Sequence, residues 1–493
     1  MDSERYRSKY NQHLLHPWGE LSKLGNDEWS SVIVRGEGVY IYDAEGNRLL
    51  DGPAGMWCMQ AGYGRKEIAD AVSNQIMDLS YATSFTLINT REIELAERIA
   101  GQTPGDLNRV YFTTGGSTAV DSALRLCQLA SNIRGQPSRK HILTREKAYH
   151  GSTFLSASVT GKERDKTAMD TMVENVHFLS APCHYYHPEF ETESSFCDFL
   201  IHELEEKILE IGAEHIMCFI AEPVLASGGV IVPPMDYHKR CWEMVKSYGI
   251  TYIADEVVTG FGRLGHWFAS EKVFGIVPDI IIFAKGLTSG YIPLGGYAVS
   301  DRFMEQISGE NSEDCLYANG YTWSGNPVGC AAAIASWDIL EKEHLLQNVL
   351  DLEPYFQEQL QKLRENPLVG DIRGMGLMAA VEMTVKGRDK ADLLEKDYAI
   401  GEMLDEHCQR LGLLVRPFIN ICIISPPLII SKNQIDELVD ALREAQPVQV
   451  ELTNYRNDGA PFRNLVSLRP VHDSNGRYRY CIGVLADAAT LTP

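Results

Sequence analysis

The chain has 493 residues, 44% of them hydrophobic and 23% charged, with a formal net charge of −22. That length exceeds what one simple core supports, so two large-scale units plus extras are expected. The acidic balance speaks against a nucleic-acid surface, no apolar stretch approaches a membrane span, and the eleven cysteines lack paired spacing, as reduced cytoplasmic thiols do.

The N-terminal Met1-Asp2-Ser3-Glu4-Arg5 is charged from its second residue, unlike a signal or transit sequence, so a cytoplasmic location is expected. Val39-Tyr40-Ile41-Tyr42 and Arg48-Leu49-Leu50, split by Asp43-Ala44-Glu45-Gly46-Asn47, predict a hairpin with an acidic turn. Arg109 to Phe112 predicts a strand, Thr113 to Ala119 a small-residue turn, and Asp121 to Leu129 a helix. A strand, a glycine-bearing turn and a helix N-terminus present free N–H groups and a positive dipole end, which suit a phosphate. Ser117 alone reads equally as an N-cap.

Further strands are predicted at His141-Ile142-Leu143 and Cys218 to Ala221, with a helical pattern from Phe199 to Leu209 between them. Cys183-His184 with His187 lacks the second cysteine pair of a metal site; no metal is expected, and the loop with Tyr185 and Tyr186 is expected to line an entrance. Gly260, Gly262 and Gly265 have dinucleotide-loop spacing, but they run into His266-Trp267-Phe268 rather than opening a helix. The alternation of short apolar runs and amphipathic stretches predicts an α/β fold with a mostly parallel sheet, functional residues gathering at strand C-termini.

Two strand ends carry the chemistry. The strand Tyr252-Ile253-Ala254 ends in Asp255, and about thirty residues later Ile280 to Ala284 ends in Lys285, followed by Gly286. On local context alone, a strand-end lysine more often snorkels to water. Desolvation, however, favours its neutral amine, which can attack a carbonyl. A lysine for a Schiff base and an acid for a pyridinium nitrogen are the polar partners of pyridoxal 5'-phosphate (PLP).

The chain resembles the class III (ω-type) aminotransferases of PLP fold type I. The matching segments are Leu50-Asp51-Gly52 with Trp57-Cys58, Gly115-Gly116-Ser117, Tyr149-His150-Gly151-Ser152-Thr153 and Ala221-Glu222-Pro223. Gly228-Gly229-Val230, Asp255-Glu256-Val257, Gly260-Phe261-Gly262-Arg263, Ala284-Lys285-Gly286, Gly320-Tyr321-Thr322, Ser324-Gly325, Arg373-Gly374-Met375-Gly376 and Arg416-Pro417 follow in the family's order. The resemblance implies a large PLP-binding domain at 60–325 and a small α+β domain at 326–445, to which residues 1–59 contribute.

It also implies roles. Lys285 holds PLP and shuttles the proton, and Asp255 keeps the ring nitrogen protonated. Gly116 and Ser117 bind the phosphate, Tyr149 and Val257 sandwich the ring, and Glu222 supports the wall. Thr322 reaches the phosphate of a neighbouring subunit, which makes a homodimer with shared sites, or a tetramer built from it, the expected assembly. Trp57, Phe85 and Tyr149 match substrate-pocket aromatics, and Arg416 matches an arginine that pairs with a substrate carboxylate. Departures occur at Gly115 and Thr118, where serine and glutamate are common in the family, and at Ser84, where loss of a ring enlarges the pocket. The implied reaction moves an amino group from a primary amine or ω-amino acid to a keto acid, pyruvate first. Dialkylglycine decarboxylase or aminomutase chemistry, or a scaffold acting through its tail, would keep the same residues.

Residues 446–493 lie outside that pattern. Alternation at Val448, Val450 and Leu452 and the turn residues Asn457-Asp458-Gly459 and Asp473-Ser474-Asn475-Gly476 predict a three-stranded antiparallel meander. The segment resembles the second half of a LOV-type PAS domain at Asn454-Tyr455, Phe462, Asn464 and Ile482-Gly483-Val484. It lacks the half with the photoactive cysteine and carries Leu485 where a glutamine is usual, so no flavin is expected.

Overall fold

The computed structural model describes residues 3–19, 21–26, 31–172, 174–309, 312–366, 368–384, 395–445, 448–455, 461–472 and 478–487. The N-terminal part supplies β1 (Ile33–Glu37), β2 (Tyr40–Asp43) and β3 (Arg48–Asp51). The expected hairpin is β2–β3, antiparallel, with Asn47 N–H donating to an Asp43 side-chain oxygen across the turn.

The central sheet is built from β4 (Arg109–Thr113), β5 (His141–Arg145), β6 (Val176–Leu179), β7 (Ile216–Ala221), β8 (Thr251–Asp255), β9 (Ile280–Phe283) and β10 (Gly295–Val299). Their spatial order is β4-β10-β9-β8-β7-β5-β6, and β10 runs antiparallel to both neighbours. Strands β7 to β9 are apolar almost without interruption because both faces are covered. Along β9, Ile281 and Phe283 join one core while Ile280 and Ile282 join the other, the period-two alternation of a strand between two helical layers.

A second sheet follows from β11 (Val369–Met375), β12 (Met378–Met383), β13 (Leu413–Leu414), β14 (Arg416–Phe418) and β15 (Ile421–Ile424). Its order is β11-β12-β15-β14, while β13 instead lies parallel to β3. Val39 and Leu50 thereby share a core with Phe356, Leu404 and Leu438. The tail forms β16 (Val448–Tyr455), β17 (Pro461–His472) and β18 (Tyr478–Asp487), paired antiparallel in chain order, as the alternation predicts. Its two predicted turns lie outside the described residues. Among the described residues no helix is long and apolar enough to cross a membrane.

Candidate active site

The site stands at the C-terminal ends of the parallel strands, where open α/β sheets leave a crevice. Parallel pairing sets Asp255 of β8 beside Ile282 of β9, so the carboxylate and Lys285, three residues on, emerge side by side. Asp255 is only 4% exposed. Its Oδ2 meets His150 Nδ1 at 2.7 Å and its Oδ1 accepts the Val257 N–H at 3.1 Å. The His150 N–H of the backbone donates to Thr160 Oγ1 at 2.9 Å, which anchors the loop that carries the ring.

Lys285 adopts φ +38°, a left-handed conformation that costs free energy in any residue with a Cβ. The residue after it must be small, because a Cβ on Gly286 would stand 2.3 Å from Gln60 Nε2. Burial pushes the Lys285 amine below the ordinary lysine range, and the Asp255 carboxylate opposes that shift. The result is a more available neutral amine.

The phosphate-type cradle forms where β4 ends. The helix Gly116–Ile133 closes its first turn with Ala119 N–H to Gly115 C=O, so the N–H groups of Gly116, Ser117 and Thr118 precede the helical ladder. Ser117 Oγ accepts the Ser152 N–H at 3.1 Å. Thr118 turns its hydroxyl back onto Gly115 C=O at 2.9 Å, so this departure from the family pattern leaves the mouth of the cradle clear. Opposite, a Cβ on Gly116 would come 3.2 Å from Val257 Cγ1, which keeps the slot narrow.

Trp57, Gly116, Ser117, Tyr149, Glu222, Asp255, Val257 and Lys285 all line one cavity of about 320 Å³. The donor set fits PLP: an amine at one end, a buried carboxylate beside it, and unladdered helix N–H groups across the slot. Glu222 does no visible chemistry. Its two carboxylate oxygens accept the backbone N–H groups of Tyr149 and Ala226 at 2.9 and 3.1 Å, and burial pushes its carboxyl above the usual range. Arg416 reaches the edge, its guanidinium carbon 5.1 Å from the Trp57 ring centre and its Nη1 buried without a hydrogen-bond partner.

Three sequence-predicted residues are not among those that line this cavity: Arg416, which touches only its Trp57 wall, and Phe85 and Thr322, which lie apart from it. Phe85 is 67% exposed and packs on the loop at Gly320. Thr322 lies in that same loop, its carbonyl accepting from Tyr81 OH at 3.1 Å. The tyrosine loop also departs from expectation. Tyr186 OH donates to Glu382 at 2.7 Å on β12, so the loop braces the second sheet rather than lining the entrance. In the same loop, His184 Nε2 meets Phe190 C=O at 2.9 Å and His187 Nδ1 meets Glu189 at 3.0 Å.

Sequence reasoning assigned no role to His150, Ser227 or Lys162, all at or against the cavity wall. His150 adjoins Tyr149 in the motif, but no spacing rule ties it to a carboxylate 105 positions away.

The profile of the family Aminotransferase class-III matches residues 22–445. Putrescine--pyruvate aminotransferase of Pseudomonas aeruginosa is 38% identical over 444 residues, spanning 90% of this chain and 96% of that one. Gamma-aminobutyrate transaminase 1, mitochondrial, of Oryza sativa subsp. indica is 37% identical over 435 residues, 87% and 84% of the two chains. A thermostable (S)-enantioselective omega-transaminase from Thermomicrobium roseum superposes with a TM-score of 0.86 at 38% identity, covering 90% of this chain and 98% of its own. The PMP-bound aminotransferase from Vibrio fluvialis does so at 0.84 and 33%, covering 89% and 97%. Joined to a buried carboxylate, an amine and an anion cradle around one slot, these likenesses establish that the chain belongs to the class III aminotransferases, enzymes of PLP fold type I that transfer amino groups with pyridoxal phosphate.

Proposed function

We propose that this enzyme takes the amino group of a primary amine or ω-amino acid and passes it to pyruvate, with Lys285 as the proton carrier. The observation that carries the residue assignments is the placement of Lys285 and Asp255 at adjacent strand ends, both opening into one cavity. The putrescine--pyruvate and gamma-aminobutyrate enzymes among the relatives support the donor and acceptor classes. Bound PLP supplies an electron sink that stabilises negative charge on the substrate carbon.

The chain's own residues do the rest. Lys285 Nζ would hold the cofactor, and its amine would carry a proton to and from the substrate carbon. Asp255, buried and held by His150, keeps the proton on the ring nitrogen. Gly116 and Ser117 offer N–H groups and a hydroxyl to the phosphate. Val257 and Tyr149 exclude water from the two ring faces, and Glu222 fixes the Tyr149 backbone. Trp57 walls the donor pocket, and Arg416 pairs with a substrate carboxylate.

Phe85 and Thr322 act in the site of a second subunit, and the enzyme is a homodimer. Support comes from the apolar surface around them: Phe85, Ile88, Leu316 and Trp323 are all exposed, and Tyr81 sets its ring edge-on to Trp323 at 5.5 Å. Residues 60–325 and 326–445 serve as cofactor and small domains, with 1–59 joined to the latter. The tail is a half-PAS sheet, and the enzyme works in the cytoplasm.

An absorbance spectrum tests the reading. A visible cofactor band should fade with amine, return with pyruvate, and be absent in Lys285→Ala. A band indifferent to every amine would sink the transamination assignment.

A further inference from the structure

Asp51, at the end of β3, has no part in the reaction above, yet it is fully buried. Its Oδ2 accepts the Gly55 N–H at 2.7 Å and the Tyr63 hydroxyl at 2.6 Å, while its Oδ1 is buried without a hydrogen-bond partner. Burial pushes the carboxyl above the usual range, and the hydrogen bonds from Tyr63 and Gly55 and the Arg263 guanidinium oppose that shift. Arg263 is itself fully buried, its Nη1 donating to Leu377 C=O at 3.0 Å and to Pro426 C=O at 2.6 Å. A carboxylate out of water is costly unless hydrogen bonds and an opposite charge hold it, and here both are supplied.

What Asp51 holds in return is a strained stretch of backbone. From Ala54 to Trp57 the chain turns with φ +47° at Ala54, +64° at Gly55 and +58° at Trp57. Left-handed dihedrals cost free energy wherever there is a Cβ, so Ala54 and Trp57 keep theirs only while the surroundings hold them. The Asp51 oxygen on the Gly55 N–H holds the middle of that turn.

Trp57 stands in the cavity wall, with Lys285 Nζ 6.0 Å from its ring centre. Its indole N–H is buried without a partner, so no hydrogen bond of the ring fixes its place. Packing against Val258 and Met378 and the turn beneath it do so instead. The far end of the segment is fastened separately. Ala61 N–H donates to Ser289 Oγ at 3.2 Å, and the Gln60 side chain presses on Gly286 beside Lys285.

We propose that Asp51 is a positioning residue which, held by Tyr63 and balanced by Arg263, fixes the strained turn 54–57 and so sets where the Trp57 wall stands against the donor amine. This rests on the aminotransferase reading and deepens it, because the width of the donor pocket is then set from behind its wall. Releasing Gly55 lets the turn relax toward ordinary dihedrals and carries Trp57 with it. A slim amine then loses its fit, whereas a broad one loses less.

The test uses the holoenzyme with pyruvate and two amines of different breadth, n-butylamine and benzylamine. In Asp51→Ala, KM for butylamine rises about tenfold with kcat within about threefold, and the butylamine-to-benzylamine ratio of kcat/KM falls about fivefold or more. Asp51→Asn, whose amide oxygen still accepts the Gly55 N–H, keeps that ratio within about twofold. In cofactor-free protein, hydrogen exchange of the 54–58 amides is about tenfold faster in Asp51→Ala and near wild type in Asp51→Asn, with β8 and β9 unchanged in both. A donor ratio that stays at the wild-type value in Asp51→Ala, whatever the loss of activity, would overturn the proposal and leave the aminotransferase reading standing. A wild-type enzyme that makes alanine from no primary amine overturns both. If Asp51→Ala does not fold, Tyr63→Phe decides. It strips Oδ2 of one of its two hydrogen bonds, and a donor ratio that moves by less than about twofold there refutes the role.

Discussion

The amine that does the chemistry sits on a backbone the residue dislikes. Lys285 at φ +38° keeps its strain when shortened to alanine, whereas glycine relieves it. In cofactor-free protein, Lys285→Gly should therefore unfold at a higher midpoint than Lys285→Ala, by on the order of 1 kcal/mol, though both are inactive. Asp255 offers a second test. His150→Phe keeps a ring in place but strips Asp255 Oδ2 of its partner at 2.7 Å. Leaving that oxygen buried and unpaired should cost about 1–3 kcal/mol, seen as a lower unfolding midpoint, and should raise the PLP concentration needed for half-maximal activity.

Between elements, His238 links the helix Tyr237–Ser247 to β8 and to the turn after β7. Its Nε2–H donates to Pro223 C=O at 2.9 Å, which leaves Nδ1 to accept from Tyr252 OH at 2.8 Å, so the ring is neutral. Burial, with Arg145 adding to it, pushes the imidazole down to about 3. The unfolded chain takes this proton near 6.5 and the folded one only near 3. Between those values the unfolded state binds more protons, so stability is lost as pH falls, at up to about 1.4 kcal/mol per pH unit. His238→Gln should flatten that slope in urea titrations run from pH 6.5 to 4. The strand ends themselves were legible in the sequence, because an apolar run ending in a charged residue marks a buried strand opening into a crevice. Asp255 and Lys285 fall one crossover apart, which a parallel sheet turns into adjacency. The His150–Asp255 and Lys162–Ser227 contacts were not legible. They join residues 105 and 65 positions apart, and only the packed fold fixes such distances. The tyrosine loop misled for a related reason: aromatic composition signals a surface to be covered without saying which one.

At the scale of the whole molecule, the exposed side chains around Phe85 should be covered by a second copy. Ile88, 80% exposed, lies within that surface and outside the cavity. Ile88→Asp should shift the protein toward monomer in light scattering and cut activity about tenfold or more, restored in part at high protein concentration. A fully active monomer would refute the shared site. The parallel pairing of β3 with β13 has a different reach, because it joins Leu50 to Leu413 and closes the edge of the N-terminal sheet. On the ribosome, β3 must wait for some 360 residues to be added, on the order of 20–70 s at 5–20 residues per second. Throughout that interval it offers an open strand edge to any neighbour. A chain halted at residue 400 should thus demand a chaperone and precipitate without one, while a chain ending at residue 445 should not.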